Sequence, residues 1–343
     1  MIVFRADGNS QIGSGHVMRC LSIAEAARDL GEKCIFITAS DDMTSVIKEK
    51  SFDNIVLNTD YREMESEDIL PALKAFTKPI VFVDSYYVSK EYLKALKVYC
   101  EENGGKLIYM DDVKKFAYPC DTLINYQIHG RIDEYDRIYE GGRKPKYIIG
   151  TNYVPLRKEF LSLKDREVKK QANSILVSTG GSDPEHLTIE LMRIAKHSNK
   201  TFHFVVGAVN SDRPLIEQEA ENCTNISLHV NVKNMSELMQ ICDVAISASG
   251  STLYELCATQ TPAVTFVLAE NQIPIAEGFS SKEIIHNCGD VRELGAHELA
   301  GILMNEAMLL CDNYDRRQSL SGVMKAVVDG NGASRILKEI LDS

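Results

Sequence analysis

Short apolar runs rich in β-branched and aromatic residues recur along the chain, at Ile2-Val3-Phe4, Cys34 to Thr38, Ile80 to Val83 and Leu107 to Met110. Between them lie longer stretches with helical patterning, such as Val17 to Leu30, ended by Gly31, and Lys90 to Glu102, preceded by Ser89 and ended near Gly104. Brief apolar runs alternating with helical patterns predict parallel strands joined by crossover helices, with helices on both faces of the sheet. The pattern breaks at Gly141-Gly142-Arg143-Lys144-Pro145. After Tyr147 to Gly150 a polar, charged stretch, Arg157 to Asn173, reads as a connection between domains. Alternation then restarts: Ile175 to Val177, a helix from Pro184, Phe202 to Val206, a helix through Met235 to Ile241, Val244 to Ile246, a helix from Thr252, and Ala263 to Leu268. The expectation is an α/β protein with a first domain over 1–155 and a second over 172–330. The tail, 331–343, reads as a helix that either stays with the second domain or packs back on the first.

A length of 343 residues agrees with two domains, since single cores stop growing efficiently below that size. The net charge of -11 and the lack of a basic stripe argue against a nucleic-acid binder. An anionic substrate would have to be attracted locally, by helix ends and backbone donors. No apolar run approaches the roughly 18 residues of a membrane span, and no signal-like opening is present, so a soluble, cytoplasmic protein without stable membrane insertion is expected. Nine cysteines are scattered singly with no CxxC, which reads as buried thiols and not a zinc site.

The candidate chemistry sits where strands end. Gly13-Ser14-Gly15-His16 follows the first strand and opens a helix. Its glycines permit a tight turn and close approach of a ligand. The helix dipole disfavours an imidazolium at His16, leaving it suited to act as a base. A dinucleotide fingerprint would need a small residue where Met18 stands, and a phosphate-binding NTPase loop would need lysine where His16 stands. Two further turns resemble anion cradles: Ser178 to Pro184, and Ser247 to Glu255. Each is also explained by capping, with Asp183 and a Ser182–Glu185 box in the first, and a Thr252–Glu255 box in the second. Glu255, one turn into its helix, has the reach to accept both hydroxyls of a ribose. Glu270-Asn271-Gln272 closes a strand with groups able to read a base or sugar edge. Asp111-Asp112 and Asp41-Asp42 are adjacent pairs after strands, but no DxD pair for a metal-held diphosphate occurs.

Together these motifs resemble the UDP-2,4-diacetamido-2,4,6-trideoxy-β-L-altropyranose hydrolases of pseudaminic acid biosynthesis and related spore-coat polysaccharide proteins. The resemblance is carried by Arg5-Ala6-Asp7, Gln11 through Leu21, Val83-Asp84-Ser85-Tyr86, Met110-Asp111-Asp112, and Gly150 with Tyr153 through Phe160. It continues through Gly180 to Asp183, Ser247 to Glu255, and Glu270-Asn271-Gln272. The second half also resembles the UDP-binding half of the peptidoglycan N-acetylglucosaminyltransferase. The family's position before the tyrosine is often histidine; here it is Ser85.

The resemblance implies a GT-B fold, two Rossmann-like domains facing across a cleft. It places the catalytic base on His16 and substrate contacts on Arg5, Asp7, Gly13, Gly15, Arg19, Tyr86, Arg157, Asn271 and Gln272. UDP would be held by Gly180, Gly181, Ser182, Ser249, Gly250, Ser251 and Glu255. The implied reaction is inverting hydrolysis of the anomeric C–O bond of a UDP-linked diacetamido sugar, with no cofactor and no metal. An inverting UDP-sugar glycosyltransferase on the same scaffold is the alternative. A nucleotide-sugar sensor without turnover is a third reading, and the oligomeric state is left open.

Overall fold

The computed structural model describes residues 1–9, 11–207 and 210–342. The chain divides into two compact units, Met1–Lys158 with Gly330–Ser343, and Glu159–Asp329. The first unit is built on seven parallel strands: β1 (Ile2–Ala6), β2 (Cys34–Thr38), β3 (Asp53–Val56), β4 (Ile80–Asp84), β5 (Lys106–Met110), β6 (Thr122–Asn125) and β7 (Lys146–Ile149). They lie in the order β3-β2-β1-β4-β5-β6-β7. Ile2 is level with Cys34 on one side and Ile80 on the other, so Phe4 stacks between Phe36 and Phe82 at centroid distances of 5.1 and 4.9 Å.

The second unit carries six parallel strands: β8 (Ser174–Ser178), β9 (Thr201–Val206), β10 (Ile226–Val230), β11 (Val244–Ala248), β12 (Ala263–Val267) and β13 (His286–Asp290). Their order is β10-β9-β8-β11-β12-β13. In each sheet the chain reverses its direction of travel at one place, between β1 and β4 and between β8 and β11. At such a point the two crossovers leave to opposite sides, and a crevice opens beyond the strands' carboxyl ends.

The structure departs from the sequence reading in two places. The helix after β8 begins at Leu187, not Pro184. Asp183 and His186 both adopt left-handed backbone, and the buried Asp183 carboxylate reaches forward to accept from the Leu187 and Thr188 N–H groups. The Ser182–Glu185 capping box is therefore replaced by a longer turn closed by Asp183. The Arg157–Asn173 stretch is not a free connection beyond Lys158. Phe160 is buried, and Arg166 donates to the carbonyls of Met239, Cys242 and Thr259. Of the two places left open for the tail helix, Gly332–Leu341 takes the first unit, where it packs along the helix Gly15–Asp29. Ile336, Leu337 and Ile340 are fully buried there, and Arg335 donates to the Asn152 carbonyl at 3.0 Å.

Candidate active site

In the first unit the loop after β1 turns at Gly13, whose φ of +71° suits glycine, and the helix starts at Gly15. A Cβ on Gly15 would meet nothing within 4 Å, so the backbone there is open to an approaching ligand. His16 is the second residue of the helix and is buried. Its Nδ1 lies 2.6 Å from Oδ1 of Asp84, the last residue of β4. A carboxylate only accepts, so the proton sits on Nδ1 and the lone pair on Nε2. This is the tautomer a general base requires.

One turn on, Arg19 grips both Asp84 oxygens, through Nε and Nη2 at 2.5 Å each. Its Nη1 donates to Asp112 Oδ2 at 2.7 Å and to the Tyr126 hydroxyl at 2.8 Å. Arg19 Nη2 also lies 3.2 Å from His16 Nδ1; both are donors, and they share the carboxylate oxygen between them. Burial alone would push the Asp84 carboxyl up, but the charges and hydrogen bonds of Arg19 and His16 outweigh it and hold the group well below the usual carboxylate range. Burial opposes the charge on Arg19 as well, and Asp112 and Asp84 overcome it, binding its proton more tightly than usual. Tyr86 donates to Asp112 Oδ2 at 3.0 Å and sets its ring edge-on to His16, centroids 4.5 Å apart. Gln127 Nε2 reaches Asp112 Oδ1 at 3.3 Å. The carboxyl ends of β1, β4, β5 and β6 thus converge on one constellation.

Several expected contact residues are turned inward. Arg5 and Asp7 are 2% and 5% exposed and pair with each other at 2.5 Å. Asp7 also accepts from the Ala39 N–H, so the pair braces the ends of β1 and β2. Arg19 is spent on two carboxylates and positions the site instead of reaching for substrate. Arg157 is half-buried at the end of the first unit. Asp111 and Asp112 bond to different neighbours. Asp111 is held by the Val113 and Lys114 N–H groups and the Tyr118 and Tyr135 hydroxyls.

In the second unit, Gly180, with φ +100°, Gly181 and Ser182 are exposed at the end of β8. A Cβ on Gly181 would meet nothing within 4 Å, whereas one on Gly207, after β9, would fall 1.9 Å from the Gly181 carbonyl oxygen. Glycine at 207 is what allows the two turns to touch. Ser249 is a correction: it is fully buried, its hydroxyl engaged by Thr265 Oγ1 and the Phe266 carbonyl, so it closes the sheet and faces no ligand. Ser251 is exposed and is the N-cap of the helix Thr252–Ala258. The Ser251 side chain makes no cap hydrogen bond, and Glu255 lies in the first turn of that helix. Gln272 accepts from the Leu268 N–H, and its Nε2 lies 3.7 Å from where a Gly250 Cβ would stand. Asn271 is exposed beside it. Glycine-bearing turns and two amides thus gather at the ends of three adjacent strands, β8, β11 and β12, an arrangement suited to an anion.

Sequence reasoning gave Asp84, Asp112, Tyr126 and Gln127 no role, although Asp84 and Asp112 stand in motifs it singled out. The only signal for Asp84 and Asp112 was a carboxylate just at or beyond a strand end.

Two parallel-sheet α/β units, each with its candidate residues at the reversal of strand order, define a protein of the GT-B fold. Over its full length the chain superposes on Acinetobacter baumannii MurG with a TM-score of 0.69 at 11% identity, covering 99% of that structure. It also superposes on the calicheamicin glycosyltransferase CalG4 with a TM-score of 0.65 at 12% identity, covering 99% of this chain and 97% of that one. Among curated sequences the chain is 26% identical to the spore coat polysaccharide biosynthesis protein SpsG of Bacillus subtilis over 98% of its length and 96% of the relative's. It is 24% identical to the UDP-2,4-diacetamido-2,4,6-trideoxy-β-L-altropyranose hydrolase of Campylobacter jejuni, over 82% and 96% of the two chains. MJ1062 of Methanocaldococcus jannaschii, uncharacterized, is 27% identical over 79% of this chain, which spans only 56% of that protein. The lipid-A-disaccharide synthetase family matches residues 154–276. The resemblance seen in the motifs is therefore carried by relatives of those names across most of the chain.

Proposed function

We propose that the protein is a UDP-sugar hydrolase that cleaves the anomeric C–O bond of a UDP-linked 2,4-diacetamido-2,4,6-trideoxy sugar with inversion. The observation that carries this reading is the hydrogen bond of 2.6 Å between His16 Nδ1 and Asp84. It leaves Nε2 as a neutral base with its partner already in place, a contribution of typically ~10²–10⁴-fold. In the proposed step Nε2 removes a proton from water as the water oxygen bonds to the anomeric carbon. The bond from that carbon to the UDP oxygen breaks on the opposite face, and UDP departs with the electron pair. UDP is a good leaving group, so backbone donors around its phosphates suffice and the scheme assigns no step to a metal. Gly180, Gly181, Ser182, Gly250 and Ser251 are taken as the phosphate cradle, Glu255 as the ribose contact, and Asn271 and Gln272 as substrate contacts. Turnover should persist in EDTA.

The test is hydrolysis of the UDP-diacetamido sugar in ¹⁸O-water, followed by NMR and mass spectrometry. Label in the free sugar, with inverted anomeric configuration, is the expected result. Label in UDP would place the cleavage at phosphorus and refute the reading. A second reading, transfer of the sugar to a hydroxyl acceptor by the same base, draws on the likeness to the calicheamicin glycosyltransferase CalG4. Product that forms only when an acceptor is added would select it.

A further inference from the structure

Asp112 is bonded by Arg19, Tyr86 and Gln127. Its carboxylate joins two routes to the same imidazole. Through Arg19 Nη1, at 2.7 Å, it steadies the guanidinium whose other face fixes Asp84, and Asp84 fixes His16 Nδ1. Through the Tyr86 hydroxyl, at 3.0 Å, it fixes the ring that stands edge-on to His16 at an interplanar angle of 77°. One contact restrains the imidazole at its nitrogen and the other at its ring. Gln127 holds the remaining Asp112 oxygen. Neighbouring Asp111 gives the contrast. It is buried among backbone N–H groups and two tyrosine hydroxyls that lead away from His16.

We infer that Asp112 is a positioning residue, which sets the orientation of His16 through Tyr86 and through the Arg19–Asp84 pair. The inference rests on the base role proposed for His16. It also gives Tyr86 a specific job: its hydroxyl proton is committed to Asp112, so its aromatic ring, in T-shaped contact with His16, and not its hydroxyl donor, acts on the site. A base turned away from the water's approach loses rate without losing substrate, because orientation is felt at the transition state and binding is made elsewhere.

The experiment compares the protein with Asp112→Ala, Tyr86→Phe and the double variant, using the UDP-diacetamido sugar as substrate. Asp112→Ala should lower kcat roughly 10- to 100-fold with KM within about twofold of the parent. Tyr86→Phe, which removes one hydrogen bond and keeps the ring, should lower kcat by a smaller factor, and the double variant should fall no further than Asp112→Ala alone. Independent losses that multiply in the double variant, or an unchanged kcat in both single variants, would overturn the inference. Should Asp112→Ala fail to fold, Tyr86→Phe and Asp112→Asn carry the comparison. A second readout separates this inference from the reading beneath it. In protein with ¹³C-labelled histidine, the His16 ring resonance, assigned with His16→Gln, feels the ring current of Tyr86. Asp112→Ala and Tyr86→Leu should both move it. A His16 signal unmoved by either substitution refutes the positioning role even if no UDP-sugar is turned over. Full activity in His16→Gln refutes the base role instead.

Discussion

Replacing Asp84 with asparagine tests the proposed chemistry at its least replaceable point. The side chain is fully buried, and its two oxygens receive three close donors: His16 Nδ1 at 2.6 Å, and Arg19 Nε and Nη2 at 2.5 Å. Asparagine turns one oxygen into an NH₂ donor of nearly the same size. If that NH₂ faces His16, Nδ1 must become the acceptor, the proton moves to Nε2, and the base is lost. If it faces Arg19, two sets of donors collide. Neither orientation preserves the site. Loss of the general base costs roughly 10²–10⁴-fold in kcat. Breaking a buried ion pair costs about 3–5 kcal/mol, and because Arg19 keeps Asp112, the lower end applies. For a unit of this size that corresponds to a fall in Tm of roughly 6–12 °C. The assay pairs chromatographic detection of UDP release with a thermal melt. His16→Gln is the control: it should abolish turnover with a much smaller change in Tm, since Arg19 and Asp84 stay paired. Turnover in Asp84→Asn within about tenfold of the parent would refute the dyad.

The depressed Asp84 carboxyl also predicts a pH dependence. The unfolded chain takes up that proton near pH 4 and the folded protein only below it, so the stability it contributes is present above about pH 4 and is lost as the pH falls further. The melting difference between the parent and Asp84→Asn should narrow accordingly on acidification. His203 and His229 touch through Nδ1 and Nε2 at 3.0 Å on neighbouring strands, and burial holds both below the usual histidine range, His203 also through its neighbour. The unfolded state binds more protons below about pH 6.5, so stability should fall from pH 7 to pH 5, and His203→Gln with His229→Gln should flatten that slope in denaturant titrations. Gly207→Ala puts a methyl group 1.9 Å from the Gly181 oxygen; calorimetry should show UDP binding at least about tenfold weaker, at a stability cost of about 1–3 kcal/mol. Ile336→Ala, in the fully buried face of the tail helix, should destabilise the first unit by about 2–5 kcal/mol in chemical denaturation while leaving UDP affinity intact.

Which of these features could be read from sequence follows from where each lies in a sheet. β1, β4, β8, β11 and β12 sit inside their sheets, are buried on both faces, and appear in the sequence as predominantly apolar runs. The edge strands β3, β10 and β13 are half-buried and escaped the reading, as did the inner strand β6, whose four buried residues include only two apolar ones, Leu123 and Ile124. In β13, His286-Asn287-Cys288-Gly289-Asp290, hardly any β-forming residue remains, and the strand is defined by its pairing with β12. The same logic governs the site. The loop carrying His16 is local, so its glycines announce it. The contacts that make it chemically useful are not local: His16 to Asp84 spans 68 residues, Arg19 to Asp112 spans 93, and Arg19 to Tyr126 spans 107. They form because β4, β5 and β6 lie in succession beside β1, an order that periodicity does not encode. The same gap applies to Arg19 and Ser249. The resemblance put both among the ligand contacts, whereas the sheet order supplies two carboxylates for the one and the end of β12 for the other. The base therefore depends on sheet order as much as on its motif. A substitution that shifted β4 against β1 would disable His16 with the Gly13-Ser14-Gly15-His16 loop intact.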